Sequence, residues 1–304
     1  MSAKQLRAKY TRKFAGLDKY ARATAWFVLV GYLFQIIAAI SIGAVLLSYP
    51  INSWSLAGLF GLMLFIGTRL RGLNNIIHEC SHATFSSVRK DNAMIGKICA
   101  ALLFNSFSAY RDEHLSHHAH LGDYDHDLDL QGIEDLKLHE PLSAKVVLRH
   151  VCTPLIGRHL PYYLCMNMSV QDGAAFQGLK YGVLLGALMF TLVFPATGLA
   201  LVIAPFVFVY SALNYWADCL DHAGIVATGD DLTASRNILA PGVIRWLFFP
   251  RNDCFHLVHH LFPHIPARHL NASHQVLTRD ANYAAQPNAV RAPQNVEDVL
   301  IAAE

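Results

Sequence analysis

Charge is scarce in this sequence. Only 15% of the 304 residues are Asp, Glu, Lys or Arg, whereas 54% are hydrophobic. Soluble domains carry about 25% charged residues, so this chain is too apolar for an ordinary soluble fold and is typical of a membrane protein. The formal net charge is +2, and the 24 basic residues are spread thinly. Without a basic patch, nucleic acid is excluded as a partner.

Closely spaced cysteines are also missing. No C-x-x-C pair occurs, which argues against a disulfide framework and against an iron–sulfur ligand set. The cysteines are therefore expected to be small apolar residues in a reducing compartment. The six are Cys80, Cys99, Cys152, Cys165, Cys219 and Cys254.

Long apolar runs are present, and they come in two pairs. A helix needs about 20 apolar residues to cross a bilayer of roughly 30 Å. The members of each pair are separated by a short turn, "SYPINS" or "FPATG". The sequence therefore predicts an all-α integral membrane protein with four transmembrane helices in two hairpins. The runs extend from about Trp26 to Leu47, Trp54 to Leu70, Leu179 to Val193 and Leu199 to Tyr215.

The sidedness of these spans follows from the distribution of basic residues. Seven precede the first span, and neither hairpin turn carries a charge. Because cytoplasmic flanks are rich in Lys and Arg, both termini and all 17 histidines are expected on the cytoplasmic side, in a helical cap. The first apolar run is too long for a cleavable signal. The apolar stretch 94–107 is predicted to be an interfacial or re-entrant helix.

The chain is predicted to form a single domain, 1–304. The acidic loop 122–135 matches a calcium-binding template imperfectly, because Leu128 stands where glycine is required, and it is expected to be a solvated loop. The tail is expected to end in a short helix at about 296–303. The predicted parts are a basic segment (1–23), a first hairpin (24–71), a region with two histidine motifs (72–178), a second hairpin (179–216), a region with a third motif (217–283) and the tail (284–304).

One short motif suggests a protease. His78-Glu79-Cys80-Ser81-His82 matches H-E-x-x-H, in which two histidines bind zinc and the glutamate is the general base. Asp218, Asp221 or Asp230 could supply a third ligand. A zinc site needs about three protein ligands, however, and would leave most histidines unused. A metal transporter would carry histidines inside its spans, and the predicted spans contain none.

The remaining histidines favour a two-metal site. "HLSHH" and "HLVHH" place imidazoles at i, i+3 and i+4 of a helix, and His78 and His82 form an i, i+4 pair. Eight or nine imidazoles suit two metals with about four ligands each and open positions for dioxygen. Imidazole binds Fe, Zn, Cu and Ni alike, so the ligands alone do not name the metal. Soluble di-iron bundles use carboxylates, and Glu79 to His82 is the only Glu-x-x-His match.

Three motifs in order resemble the integral-membrane fatty acid desaturase/hydroxylase superfamily. They are "HECSH" (78–82), "EHLSHH" (113–118) and "HLVHHLFPHIP" (256–266), with one hairpin before the first and another between the second and third. The resemblance implies a non-haem di-iron centre that activates O₂. The implied ligands are His78, His82, His114, His117, His118, His256, His259 and His260, with His222 as the additional ligand of some members.

Two carboxylates are candidates for supporting roles in that centre. Glu79 is expected to orient an imidazole by accepting its N–H. Asp218 stands where members with the additional ligand have Asn, so it could be a water-mediated ligand, a hydrogen-bond acceptor or neither.

The resemblance implies a desaturase acting on an acyl-lipid or acyl-carrier substrate, with a hydroxylase on the same metal site as the alternative. The three residues between the histidines of the first motif leave the acyl carrier open, since many acyl-CoA enzymes have four. Neither "HPGG" nor G-x-G-x-x-G occurs. Electrons are therefore expected from a separate ferredoxin-type or cytochrome b5-type donor with its reductase. In a bacterium the location would be the inner membrane.

Overall fold

The computed structural model describes residues 2–164, 166–226 and 230–289. These residues form helices and turns, and they contain no strand beyond an isolated bridge between Tyr20 and Ser86. The predicted helix at 296–303 lies outside the described residues. The helices are α1 (Ala3–Phe14), α2 (Arg22–Leu47), α3 (Ser53–Ser81), α4 (Arg89–Leu102), α5 (Phe107–His120), α6 (Ala144–Leu155), α7 (Leu160–Tyr163), α8 (Ala174–Val193), α9 (Pro195–His222), α10 (Asp231–Ala234), α11 (Gly242–Phe248), α12 (His256–Leu261), α13 (Leu270–Leu277) and α14 (Ala281–Ala284).

Four of these helices are long and apolar enough to cross a membrane: α2, α3, α8 and α9. Their outer surfaces carry large exposed apolar side chains such as Phe27, Phe34 and Leu192. Contiguous apolar surface of this kind marks contact with lipid or a partner rather than with water. The predicted all-α membrane fold with two helical hairpins is confirmed.

Helix α3 is longer than the predicted span. Asn52 caps its start by accepting hydrogen bonds from the backbone N–H groups of Trp54 and Ser55. The apolar pattern ends at Leu70, but the helix continues to Ser81. The polar residues in this extension are buried and bonded, since Asn75 donates to the carbonyl of Pro250. The first histidine motif therefore lies on the last turns of a membrane helix.

Helix α9 also passes its predicted end at Tyr215 and continues to His222. Two π-helical stretches, Leu199–Ile203 and Pro205–Tyr210, interrupt it. Close packing against α3 explains one glycine there, because a β-carbon on Gly67 would lie 2.3 Å from Val209 Cγ1. Helices α3 and α9 thus run side by side, and each carries histidine in its last turn.

Helices α4 and α5 are bent by 105° relative to each other. The predicted interfacial or re-entrant stretch, 94–107, covers the second half of α4 and this bend. A re-entrant segment and a broken span both have this geometry. Asp172 caps α5, because its carboxylate accepts from the backbone N–H groups of Phe107 and Ser108 at 2.6 and 3.0 Å. The bend directs α5, with the second histidine motif, to α3.

The basic N-terminal segment forms a packed helix. Leu6 and Phe14 of α1 lie in one hydrophobic core with Leu257 and Leu261 of α12. Arg7 donates to the carbonyls of Leu261 and His260, at 3.0 and 3.1 Å. Helix α1 therefore supports the short helix that carries the third histidine motif.

Candidate metal centre

Nine histidines gather in two adjoining groups. Within each group, the candidate ligand atoms all lie within 4.8 Å of one another. These nine are the histidines named from the sequence motifs, including His222 of α9. Cluster 1 contains His78, His82, His114, His118 and His259, and cluster 2 contains His117, His222, His256 and His260.

Cluster 1 joins the ends of α3, α5 and α12. The Nε2 atoms of His78 and His259 are 2.7 Å apart, and those of His82 and His114 are 2.8 Å apart. His118 Nε2 lies 2.9 Å from that of His259 and 3.1 Å from that of His114. All five rings therefore direct the same nitrogen towards one point.

Cluster 2 joins α5, α9 and α12. The Nε2 atom of His256 lies 2.8 Å from that of His222 and 2.9 Å from that of His260. The ring of His117 is 5.0 Å from that of His222. The two clusters are neighbours, because the rings of His118 and His260 have centroids 4.4 Å apart.

Helical spacing divides the second and third motifs between the two clusters, whereas both histidines of the first motif belong to cluster 1. On α5 the i, i+4 pair His114 and His118 belongs to cluster 1, and His117 belongs to cluster 2. On α12 the i, i+4 pair His256 and His260 belongs to cluster 2, and His259 belongs to cluster 1. The sequence placed all three imidazoles of a motif on one face. The structure shows that the second and third motifs each contribute histidines to both clusters.

The donor sets fit metal ions. Nitrogen ligands about 2.1 Å from an ion and at right angles to each other lie about 3 Å apart, as these Nε2 atoms do. Hydrogen bonds alone do not account for the arrangement, because the single Nε2 atom of His118 lies close to the Nε2 atoms of both His114 and His259. Burial lowers the pKa of His256, His259 and His260, which favours the neutral ring that binds metal.

The opposite ring nitrogens face acceptors. His117 Nδ1 lies 2.8 Å from Asp127, which is fully buried, and His222 Nδ1 lies 2.9 Å from the carbonyl of Ala234. Asp129 is 3.6 Å from Nδ1 of His114. Asp127 and the Ala234 carbonyl lie within hydrogen-bond distance, and they fix the tautomer that leaves Nε2 of His117 and His222 free for a metal. Asp127 was missed by the sequence analysis, and its place just after the second motif is the signal that could have revealed it.

Comparison with known proteins agrees with this geometry. The family model described as "Fatty acid desaturase" matches residues 52–288. The chain belongs to the fatty acid desaturase family. Family members are oxidoreductases, and this chain is therefore an enzyme of that class. The family implies a di-iron centre in general, and the two clusters could hold metal ions.

Similar proteins are themselves named desaturases. Dihydrorhizobitoxine desaturase of Bradyrhizobium elkanii is 25% identical over 240 residues, covering 73% of this chain and 68% of that protein. The sn-1 acyl-lipid omega-3 desaturase (ferredoxin) of Synechocystis is 27% identical over 147 residues, covering 48% and 39%. The acyl-lipid omega-3 desaturase (cytochrome b5) of Arabidopsis thaliana is 24% identical over 140 residues, covering 46% and 34%. The matches therefore span about two thirds of the first protein and well under half of the others.

Within this desaturase fold, Glu79 contacts Arg251 and not an imidazole. Arg251 Nη2 donates to Glu79 Oε2 at 3.1 Å, and its Nε donates to Oε1. Both side chains are 7% exposed. Arg251 has a left-handed backbone, with φ of 68°, in the turn before the third motif. The pair therefore ties the first motif to the third, and both carboxylate oxygens that a protease mechanism would need are occupied.

The other carboxylates considered from the sequence lie outside both clusters. Asp218 accepts a hydrogen bond from the Tyr163 hydroxyl at 2.6 Å. Asp230 caps α10 by accepting from the backbone N–H of Leu232. Asp221 lies 3.6 Å from Nδ1 of His256, on the side of the ring away from Nε2.

Histidines outside the motifs have individual partners. His150 Nδ1 lies 2.6 Å from the hydroxyl of Tyr215, and His159 Nε2 lies 2.9 Å from Ser211 Oγ. His139 is exposed. The other ring nitrogens of the first two, His150 Nε2 and His159 Nδ1, are buried and have no hydrogen bond to any residue that the structure describes.

A cavity of about 470 Å³, called here the polar chamber, opens onto both clusters. Five of the nine clustered histidines lie in its wall: His78, His114, His117, His222 and His256. Ligand cavities of 300–1,000 Å³ hold small organic molecules. The polar chamber is therefore the space in which a substrate can meet the histidine centre.

Proposed function

We propose that the chain is an O₂-dependent desaturase that uses two iron ions, one in each histidine cluster. The supporting observation is the gathering of nine imidazoles into two sets whose ligand atoms lie within 4.8 Å of one another. The substrate loses one hydrogen from each of two adjacent carbons. O₂ takes up those hydrogens with two electrons and two protons, and two water molecules leave.

Iron bound in the clusters would supply activation of O₂ and removal of hydrogen from an unactivated C–H bond. The chain itself orients the ligands. The carboxylate of Asp127 accepts from His117 Nδ1, the Ala234 carbonyl accepts from His222 Nδ1, and the pair of Glu79 and Arg251 holds the motifs together. The first two contacts orient Nε2 of His117 and His222 in cluster 2, and the ion pair joins the first motif to the turn before the third motif.

Substrate and donor follow from the similar proteins. Two of them are named acyl-lipid desaturases, one with ferredoxin and one with cytochrome b5. We infer an aliphatic chain on a lipid or acyl carrier as the substrate. A separate ferredoxin-type or cytochrome b5-type protein, kept reduced by its own reductase, is the inferred source of the two electrons.

The inferred location is a membrane, with both termini and the metal centre on the cytoplasmic side. The basic residues before α2 support this orientation. In a bacterial cell that membrane is the inner one. All nine clustered histidines then face the compartment in which soluble electron donors are found.

The mass of the product tests the proposed reaction. The iron-loaded protein is incubated with membrane lipids, O₂ and a reduced ferredoxin, and the lipids are analysed by mass spectrometry. A product lighter by two hydrogens is expected. A product heavier by one oxygen would instead assign hydroxylation to the same centre, and no oxidised product under any donor would refute the proposal.

A further inference from the structure

A second large cavity lies apart from the histidine clusters. It has a volume of about 530 Å³, lies between α6, α9 and α11, and is called here the apolar groove. Aliphatic and aromatic side chains such as Val151, Leu213 and Phe248 form most of its wall. The described residues of that wall include none of the nine clustered histidines. The groove therefore suits an apolar ligand, and a chain lying in it does not contact the metal ligands.

One edge of the apolar groove, α11, lies at the surface of the membrane. Arg69 of α3 donates to the carbonyls of Trp246 and Leu247 in α11, at 2.7 and 3.2 Å. Arg69 directly precedes Leu70, where the apolar run of α3 ends. Trp246 is 55% exposed, and tryptophan is enriched where a bilayer meets water. Helix α11 therefore lies at the end of the membrane span, at the level of the lipid headgroups.

The opposite edge, α6, carries apolar side chains on an exposed face. Val147, Val151 and Leu155 recur at every fourth residue and are 48%, 48% and 71% exposed. Residues with this spacing lie on one face of a helix, and an exposed apolar face is typical of a helix that lies in a membrane interface. Val147 and Val151 also line the apolar groove. The groove thus opens between two interfacial helices, and its rim continues into the lipid-facing surface.

The charged side chains of the apolar groove are cations. Arg71 and Arg236 line it, and no carboxylate does so among the residues that the structure describes. Arg71 is already paired with Asp253. Arg236 donates to the carbonyl of Ala223 and forms no ion pair with any described residue. Burial lowers the pKa of the Arg236 guanidinium, and Asp221, which lies beyond ion-pair distance, offsets this in part. An anion beside Arg236 would therefore stabilise its charge.

We propose that the apolar groove binds an acidic phospholipid of the surrounding bilayer, with one acyl chain between α6, α9 and α11 and the phosphate at Arg236. The phosphates of a bilayer lie in its headgroup region, which is the level of α11. The acyl chain removes apolar wall from water, and the guanidinium gains a charge-assisted hydrogen bond. The bound lipid is not the substrate, so the inference does not depend on the proposed desaturase reaction.

Native mass spectrometry of the full chain in a neutral detergent tests this lipid site. The protein is titrated with phosphatidylglycerol and, separately, with phosphatidylcholine that carries the same acyl chains. One phosphatidylglycerol molecule per chain is expected to bind roughly fivefold more tightly than phosphatidylcholine, because one nearby basic side chain favours an anionic lipid by about that factor. Equal affinities, or no lipid retained, would overturn the proposal.

A pair of variants on α6 assigns the bound lipid to the apolar groove. Val151→Trp places a large side chain in the groove and is expected to lower phosphatidylglycerol affinity by roughly tenfold. Leu155→Trp adds the same side chain one turn further along, at an exposed position that does not line the groove, and it should leave affinity unchanged. Equal effects of the two variants would mean that lipid covers the membrane surface in general, and would refute a site in the groove.

A second pair of variants tests the contact with the phosphate. Arg236→Gln should abolish the preference for phosphatidylglycerol, so that the two lipids bind equally. Arg158→Gln removes an exposed cation just after α6 that does not line the groove, and it should keep the preference. A preference that survives Arg236→Gln, or that both variants lose, would refute the phosphate site. If Arg236→Gln does not fold, the α6 pair and the headgroup comparison decide.

Two other occupants would be recognised in the same spectra. A dimer that Val151→Trp dissociates would assign the apolar groove to a second copy of the chain. Lipid binding that appears only in a full-length Leu300→Asp variant would assign the groove to the chain's own segment 290–304. Either result would overturn the proposal of a lipid site.

Discussion

Glu79 decides between two functions of the H-E-x-x-H motif. As the general base of a zinc protease its carboxylate would have to face a metal-bound water. In the structure both oxygens accept hydrogen bonds from Arg251. The residue therefore acts on the metal centre through the segment that leads to the third motif.

Glu79→Gln is expected to destabilise the protein and to loosen its metal together. Removing one partner of a buried ion pair leaves the other charge uncompensated and costs about 3–5 kcal/mol. The thermal midpoint and the iron content of the variant are measured against those of the wild type. Glu140→Gln is the control, because Glu140 pairs with Arg149 at the surface, where a pair contributes about 0–1 kcal/mol.

A loss of activity without a loss of stability or metal in Glu79→Gln would contradict this role. If Glu79→Gln keeps its thermal midpoint and all its metal but loses activity, Glu79 acts as a general base and the desaturase mechanism fails. Arg251→Gln should reproduce the loss of stability seen with Glu79→Gln. A double variant that loses less than the sum of the two single variants would show that the residues act as a pair.

Single residues differed in how well the sequence revealed them. The histidines were predictable because imidazoles spaced at i, i+3 and i+4 on several helices repel one another once protonated, unless a metal holds them neutral. Asp127 was not predictable, because its acidic loop has the composition of any solvated loop. Only the fold brings Asp127 to His117. The partner of Glu79 was also hidden, because Arg251 lies far along the chain.

For the membrane helices, the sequence predicted which segments are helical better than it predicted where each helix ends. The apolar runs identified α2, α3, α8 and α9, because hydrophobicity over a bilayer's thickness is a strong pattern. The apolar pattern predicted that α3 ends at about Leu70, whereas the helix continues to Ser81. Polar residues end an apolar run but not a helix, and Asn75 finds its partner, Pro250, in a remote segment.

Helix α1 was predicted as a basic segment and not as part of the site's support. The side chain of Arg7, in α1, donates hydrogen bonds to two backbone carbonyls of α12 and forms an ion pair with Asp231. Asp231 in turn lies 3.9 Å from Nδ1 of His260. The basic residues of this segment predicted on which side of the membrane it lies, but they gave no information on how α1 packs against α12.

Arg7→Ala is expected to lower the thermal midpoint and to speed the loss of iron from cluster 2. Three contacts to α12 and α10 are removed, and hydrogen bonds to charged groups contribute about 1.5–3 kcal/mol each. Thermal unfolding and iron release to a chelator are the measurements. Arg12→Ala, at an exposed position of α1, is the control, and identical behaviour of the two variants would show that α1 does not support the third motif.

For the whole molecule, the motifs must lie on one side of the membrane. They are separated in sequence by the second hairpin, yet their imidazoles meet. Accessibility reporters at residues 50 and 196 are expected outside and a C-terminal reporter inside, because the basic residues precede the first span. Reporters that place residues 120 and 258 on opposite faces would be incompatible with a shared metal centre.

The most direct test of the central claim is the iron content of the protein, loaded under anaerobic conditions and measured by elemental analysis. Two clusters predict about two iron atoms per chain, since each offers at least three imidazole ligands. His259→Ala leaves cluster 1 with four imidazoles and His256→Ala leaves cluster 2 with three, so each variant should release iron to a chelator faster than the wild type, and His139→Ala should not. A single zinc per chain, with no uptake of iron and no loss on His259→Ala, would contradict the two-iron centre.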